Sequence, residues 1–151
     1  MGQDKLTVGL VYGGKSGEHE VSLSTAFAVM NAFDFDKYDI MPFYISKQGA
    51  WRIGTKLTAP FSDQEELKLA EGEGTRTALN AVFSRLYGSE EPVVDIMFPL
   101  LHGTFGEDGT IQGLFEMADI PYVGTGVLAS AAGMDKVVMK KLFAAEGLPQ
   151  C

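Results

Sequence analysis

Two glycine-rich stretches hold most of the side chains able to do chemistry: GGKSGEHE at residues 13–20 and HGTFGEDG at residues 102–109. The first offers Lys15, a residue type that holds phosphate, and Glu18, whose carboxylate can pair with an ammonium inside a crevice. Read alone, Glu18 is better explained as a first-turn glutamate favoured by a helix dipole. His19 and Glu20 read as solvated or packing residues. The second stretch offers His102, which can donate to a carboxylate whether neutral or charged. It also offers the adjacent Glu107 and Asp108, a pair of the kind used in acid–base work. The structural account is preferred for that pair: Asp108 caps the next helix and Glu107 holds the loop. Gly103, Gly106 and Gly109 then permit unusual backbone angles. No second ligand stands at a useful spacing from His102, so no metal ligand is assigned.

Short apolar runs and helical spacings must position these loops. LTVGLVY (6–12), ending in Gly-Gly, reads as a buried strand. Residues 18–33 place Val21, Phe27, Met30 and Phe33 at helical spacing, with Ser16 as N-cap. DIMPFYI (39–45) is a second strand, SKQGA a turn and WRI a short returning strand. Ser62 and Glu65 form a capping box for a short helix, and residues 77–87 read as helical. VVDIMFPL (93–100) is a strand, 110–118 a helix and IPYV (120–123) a further strand. Helices follow at 127–133 and 135–146, the second stopped by Gly147 and Pro149. This alternation means an α/β fold: a parallel sheet with helices on both faces, ligands sitting at the carboxyl ends of its strands. Both glycine-rich loops leave strand ends, so they should line one crevice.

Two motif matches compete with that reading. GLVYGGKS, from Gly9, fits the phosphate-binding pattern G-x-x-x-x-G-K-[ST]. Its intervening residues Leu10, Val11 and Tyr12 are strand, and an extended strand cannot curl its amides around an anion. Lys15 is therefore read as a solvated loop lysine. GTGVLA, from Gly124, fits G-x-G-x-x-A, but Glu146, at the spacing of the acidic partner, falls in a helix. A tight strand-to-helix turn explains it better.

The 151 residues suffice for a domain with a real core, and 46% are hydrophobic. Twelve basic against 20 acidic residues, a net charge of -8, argue against nucleic acid or an anionic membrane as the main partner. The single cysteine, Cys151, allows no intrachain disulfide and fits a reducing, cytoplasmic setting. No signal-peptide pattern or membrane-length apolar stretch is visible.

HGTFGEDGTIQG (102–113) fits H-G-x-x-G-E-[DN]-G-x-[LIVMA]-[QS]-G and resembles the amino-terminal signature of D-alanine–D-alanine ligases, in the ATP-grasp superfamily. GGKSGEHEVSL resembles that family's first loop, and GTGVLASAAGMDK its passage from first to second domain. The resemblance implies a Rossmann-like pre-ATP-grasp domain at residues 4–123 and the truncated start of an ATP-grasp domain at 124–151. It implies ATP and Mg2+ (or Mn2+) as cofactors with sites mostly outside this chain, D-alanine as substrate and a homodimer. The implied reaction joins two D-alanines through an acyl phosphate for bacterial peptidoglycan.

The resemblance carries residue roles with it. Glu18 matches the catalytic-site glutamate that fixes the ammonium of the first D-alanine. Val21 matches a position packing near that substrate's methyl group, and ordinary helix core is compatible with this. Ser22 reads either as a hydrogen-bonding support for the site or as a helix residue bonded to its own backbone. His102, with Gly103, matches the site near the substrate's carboxylate. Lys136, in MDK, matches a lysine reaching ATP phosphate. Met134, Val138, Met139, Leu142 and Phe143 form an apolar stripe that expects a partner. Two alternatives stay open: a D-alanine–D-lactate ligase of the same fold, and a non-catalytic α/β module that binds a small molecule or dimerises. The residues choosing between an amine and a hydroxyl are expected beyond Cys151.

Overall fold

The computed structural model describes residues 5–88 and 93–150; Cys151, read above as unable to form a disulfide, lies outside the described residues. Strand β1 (Leu6–Gly13) is the centre of the sheet and is buried from Thr7 onward. It pairs in parallel with β2 (Tyr38–Ile45) on one side and β4 (Ile96–Pro99) on the other. The short β3 (Trp51–Ile53) returns antiparallel along β2, giving the order β3-β2-β1-β4. The apolar runs form these strands because a sheet covered on both faces demands continuous rather than alternating hydrophobicity.

Helices α1 (His19–Ala32), α2 (Thr75–Val82), α3 (Thr110–Met117), α4 (Val127–Met134) and α5 (Lys136–Ala145) complete the regular structure, with two 3-10 turns, Gln64–Lys68 and Ser84–Tyr87. Successive strand residues feed opposite cores. Leu10 and Tyr12 pack with Leu23, Ala26 and Met30 of α1, whereas Val11 packs with Ala78, Val82, Ile111 and Phe115 of α2 and α3. Helices on both faces are as expected.

Local details differ. The buried face of α1 is His19, Ser22, Leu23, Ala26 and Met30; Val21 points outward at 52% exposure, so it is not helix core. Ser16 is not the N-cap: Glu18 holds that place, without a side-chain cap bond. The capping box lies one residue later than read, on Asp63 and Glu66, with Ser62 also bonded to Glu66. Residues 77–87 divide into α2 and a 3-10 turn. The strand read over 93–100 is only Ile96–Pro99, because Asp95 turns its carboxylate onto the Thr7 N–H (2.7 Å). The strand read at 120–123 contracts to one parallel bridge between Met97 and Tyr122. Pro121 has no N–H to continue a ladder.

Candidate functional site

The site begins where β1 stops. Gly13 has φ +93°, and a Cβ there would stand 2.2 Å from the Ile45 carbonyl oxygen, so only glycine lets the chain leave the sheet here. Its N–H donates to Ser22 Oγ (2.8 Å), and the Gly14 N–H to the Ile45 carbonyl (2.8 Å). Ser22 Oγ in turn donates to the Leu100 carbonyl (2.6 Å). Fully buried, Ser22 thus ties the ends of β1 and β4 together and does not bond its own helix. Ser16 makes the second tie: its Oγ donates to the His102 carbonyl (2.6 Å) and accepts the Glu18 N–H (3.2 Å). The two glycine-rich loops therefore share one edge, the carboxyl ends of the parallel strands.

Glu18 is exposed at the start of α1, and its carboxylate leans on the second loop: Oε2 lies 2.9 Å from where a Cβ on Gly103 would be. Gly103, at φ +71°, leaves that space to the glutamate. His102 follows the Leu100–Leu101 strand end. The Thr25 hydroxyl donates to the Val21 carbonyl (3.0 Å), so His102 Nε2 is the donor in its 3.0 Å contact with Thr25 Oγ1. That assignment leaves Nδ1 available to a ligand.

Glu107 and Asp108 are loop clamps. Glu107 Oε2 accepts the Gly103 N–H (2.7 Å); Asp108 accepts the N–H groups of Phe105 (2.9 Å) and Thr110 (3.0 Å). Burial pushes the Asp108 carboxyl up, but the amides of Phe105 and Thr110 outweigh it and hold it below the ordinary aspartate value. Gly109, not Asp108, is the formal N-cap of α3; the aspartate bonds the first turn from one residue earlier. Gly103 and Gly109 take positive φ and Gly106 does not. Lys15 has no phosphate nest: Gly9 to Gly13 is paired strand, and Lys15 Nζ sits 4.5 Å over the Phe105 ring.

Two cavities flank the second loop and share Leu101, His102 and Gly106. One, of about 530 Å³, reaches Thr25, Gln112 and Ser130. The other, of about 690 Å³, reaches Lys15, Trp51 and Phe105. Lys136 is exposed at the start of α5 and lines neither of these cavities. Among the described residues no group of three or more His, Cys, Asp or Glu could hold a metal ion. The structure thus brings together Glu18, Ser22, His102 and Gly103, places Val21 on the outer face of α1, and leaves Lys136 apart. Sequence reasoning missed Ser16 as a bridge and Thr25 as the partner of His102. Thr25 stands three residues after Ser22, one helical turn along the same face, a signal that was there to be read.

Residues 7–125 match the family model described as D-ala D-ala ligase N-terminus. The chain belongs to that family. Among curated relatives of the D-ala D-ala ligase N-terminus family, a D-alanine--D-alanine ligase of Geobacillus kaustophilus (strain HTA426) is 54% identical over 153 residues, which cover 97% of this chain and 41% of the relative. The chain thus spans about two-fifths of the length of the curated relatives it matches. Two solved structures are similar. The D-alanine-D-alanine ligase from Coxiella burnetii has TM-score 0.72 at 30% identity, covering 97% of this chain and 43% of that one. The VanG D-Ala:D-Ser ligase from Enterococcus faecalis has TM-score 0.71 at 31% identity, covering 95% and 43%.

Proposed function

We infer that this chain is the first-substrate module of a bacterial, ADP-forming D-alanine–D-alanine ligase. Residues 4–123 are assigned as its pre-ATP-grasp domain and 124–151 as the start of its ATP-grasp domain. One observation carries the reading: the bond from Ser16 Oγ to the His102 carbonyl, which joins the two loops and brings Glu18 against Gly103 beside His102. A zwitterionic amino acid needs an anion for its ammonium and a donor for its carboxylate; Glu18 supplies the anion, and His102 supplies the donor through Nδ1 in the form of the ring that carries a proton on both nitrogens. Val21, exposed one turn before Thr25, is assigned to the substrate's methyl group. Ser22 supports the site from behind through the strand ends. In the whole ligase ATP would supply the phosphoryl group that activates the first D-alanine's carboxylate for attack by the second's amine, with Lys136 the residue of this chain assigned toward its phosphate.

The residues present do not by themselves fit a nucleotide or a metal ion. Lys136 alone is assigned toward ATP phosphate, and it is exposed, with no acidic cluster beside it among the described residues. The sites for ATP and for Mg2+ or Mn2+ are accordingly assigned mostly outside this chain. What these residues do is bind and orient the first D-alanine. A cytoplasmic homodimer feeding peptidoglycan synthesis completes the proposal; no helix among the described residues is long and apolar enough to cross a membrane. The similarity to a D-Ala:D-Ser ligase favours one second reading, the same first-substrate site serving a different second substrate, as in the D-lactate alternative.

Steady-state kinetics of Glu18→Gln in the full-length protein test the assignment. A lost charge-assisted bond is worth roughly 1.5–3 kcal/mol, which is about 10- to 150-fold in kcat/KM for the first D-alanine. Near wild-type kcat/KM would refute it. Folding should survive, since the helix dipole loses at most about 1 kcal/mol.

A further inference from the structure

His19 follows Glu18 directly, yet it is only 3% exposed, and no role has been given to it so far. Its Nδ1 lies 2.7 Å from the Gly14 carbonyl oxygen. A carbonyl can only accept, so Nδ1 carries the proton. With the proton on Nδ1, Nε2 is the acceptor side of the ring, and the Tyr44 hydroxyl lies 3.4 Å from it. Burial raises the Tyr44 pKa, so this hydroxyl keeps its proton. The Tyr44 ring also meets the imidazole edge-on, with centroids 5.7 Å apart at 74°. A buried histidine with both nitrogens committed is fixed in orientation.

Its bond to Gly14 spans the loop that carries Glu18. Gly13 and Gly14 take φ +93° and +96°, and two successive glycines are the softest joint in this stretch. On one side the Gly14 N–H is tied to Ile45 of the sheet; on the other its carbonyl is tied to His19, the first residue of α1. The imidazole therefore closes residues 14–18 into a ring, with Glu18 at the end of the ring adjoining the clasp.

We propose that His19 is the positioning residue for Glu18: by clamping the Gly14 carbonyl it sets the loop in which the Glu18 carboxylate faces the Gly103 segment. This rests on the reading of Glu18 as the ammonium partner of the first D-alanine. The test uses the full-length ligase. His19→Leu keeps apolar bulk and removes the donor; His19→Asn puts an amide N–H near the place of Nδ1. A misplaced binding group costs one to two decades, so His19→Leu should raise KM for the first D-alanine on the order of 10-fold. KM for ATP and kcat should stay within about twofold. His19→Asn should recover most of the loss. In a Glu18→Gln background the Leu substitution should add less than about twofold, because the group it positions is gone.

An Asn variant as impaired as the Leu variant overturns the proposal. So does a Leu effect carried in full into the Glu18→Gln background, and this leaves the Glu18 assignment standing. Wild-type KM in Glu18→Gln alone removes the Glu18 assignment and the positioning role with it. If His19→Leu does not fold, His19→Gln replaces it, since its amide reaches toward Tyr44 rather than Gly14. Raised KM in the Gln variant beside normal KM in the Asn variant supports the clamp, and the reverse overturns it.

Discussion

The strand-end loops and the α4–α5 pair are built on opposite principles. Helix α5 has the better local start: Asp135 accepts the N–H groups of both Val137 (2.9 Å) and Val138 (3.0 Å), whereas α1 has no side-chain cap. Yet α5 buries none of its residues and α4 only Ser130, while α1 buries five. Met134, Val138, Leu142 and Phe143, most of the stripe that expects a partner, are all exposed. The loops lack regular structure but are held by long-range bonds from Ser16 and Ser22 and by the local clasp of His19 on Gly14. Capping decides that a helix forms; burial and distant hydrogen bonds decide where it stays.

Amide exchange tests the contrast most directly. Buried strands exchange only through global opening, worth several kcal/mol, while unanchored helices open locally at almost no cost. In the 151-residue chain, β1 amides should exchange ~10³-fold or more slower than those of α5. Equal protection in a dilute monomer would break the comparison.

Ser22→Ala probes the anchored side. It leaves a buried Gly13 N–H and a buried Leu100 carbonyl without their shared hydroxyl. The expected loss is about 2 kcal/mol, or roughly 4–8 °C in Tm for a chain of this size. A melt unchanged within 1–2 °C would mean that water replaces the hydroxyl.

The finest test pairs two aspartates that each hold two amides, Asp108 in the loop and Asp135 on α5. The folded-state pKa of Asp108 is depressed, so its contribution is present above the ordinary aspartate value. That contribution fades as pH falls through the lower folded value, where the unfolded state binds more protons. Asp108→Asn should therefore flatten the acid limb of stability against pH. Asp135→Ala should lower helicity while leaving the global unfolding midpoint in place. Denaturant melts across acidic pH, followed by circular dichroism, read both; a midpoint shift in Asp135→Ala would tie α5 to the core.

The legible parts of the sequence were those carried by composition over several residues. The runs around Leu10, Phe43 and Met97 gave away a doubly covered parallel sheet, and its strand ends gave the shared crevice. Glu107 was also read correctly as a loop holder, whereas Asp108, read as the helix cap, holds the loop and the first turn from one residue before the cap. Single-residue decisions fared worse where polar groups were buried. Val21 took the core role in the spacing argument because it is apolar, whereas the inward places belong to His19 and Ser22, polar residues whose contacts include Tyr44 and Leu100, far away in sequence. Ser62 and Asp63 are both good caps and both bond Glu66, and only the Asp63 carboxylate accepting the Glu65 N–H decides between them. Apolar content at 120–123 suggested a full strand, but Pro121 allows only one bridge.

Register sets a sequence of events for chain synthesis. Strands β1 and β2, with α1 between them, are complete by Ile45, but Val8 pairs with Ile96 in β4. The hydroxyls of Ser16 and Ser22 must wait for His102 and Leu100. At ~5–20 residues per second a ribosome needs several seconds to cover that distance. Throughout that interval the β4 side of β1 is an open edge beside a half-made glycine-rich loop. The nascent chain is thus most prone to wrong pairing beside the two loops proposed to hold the substrate.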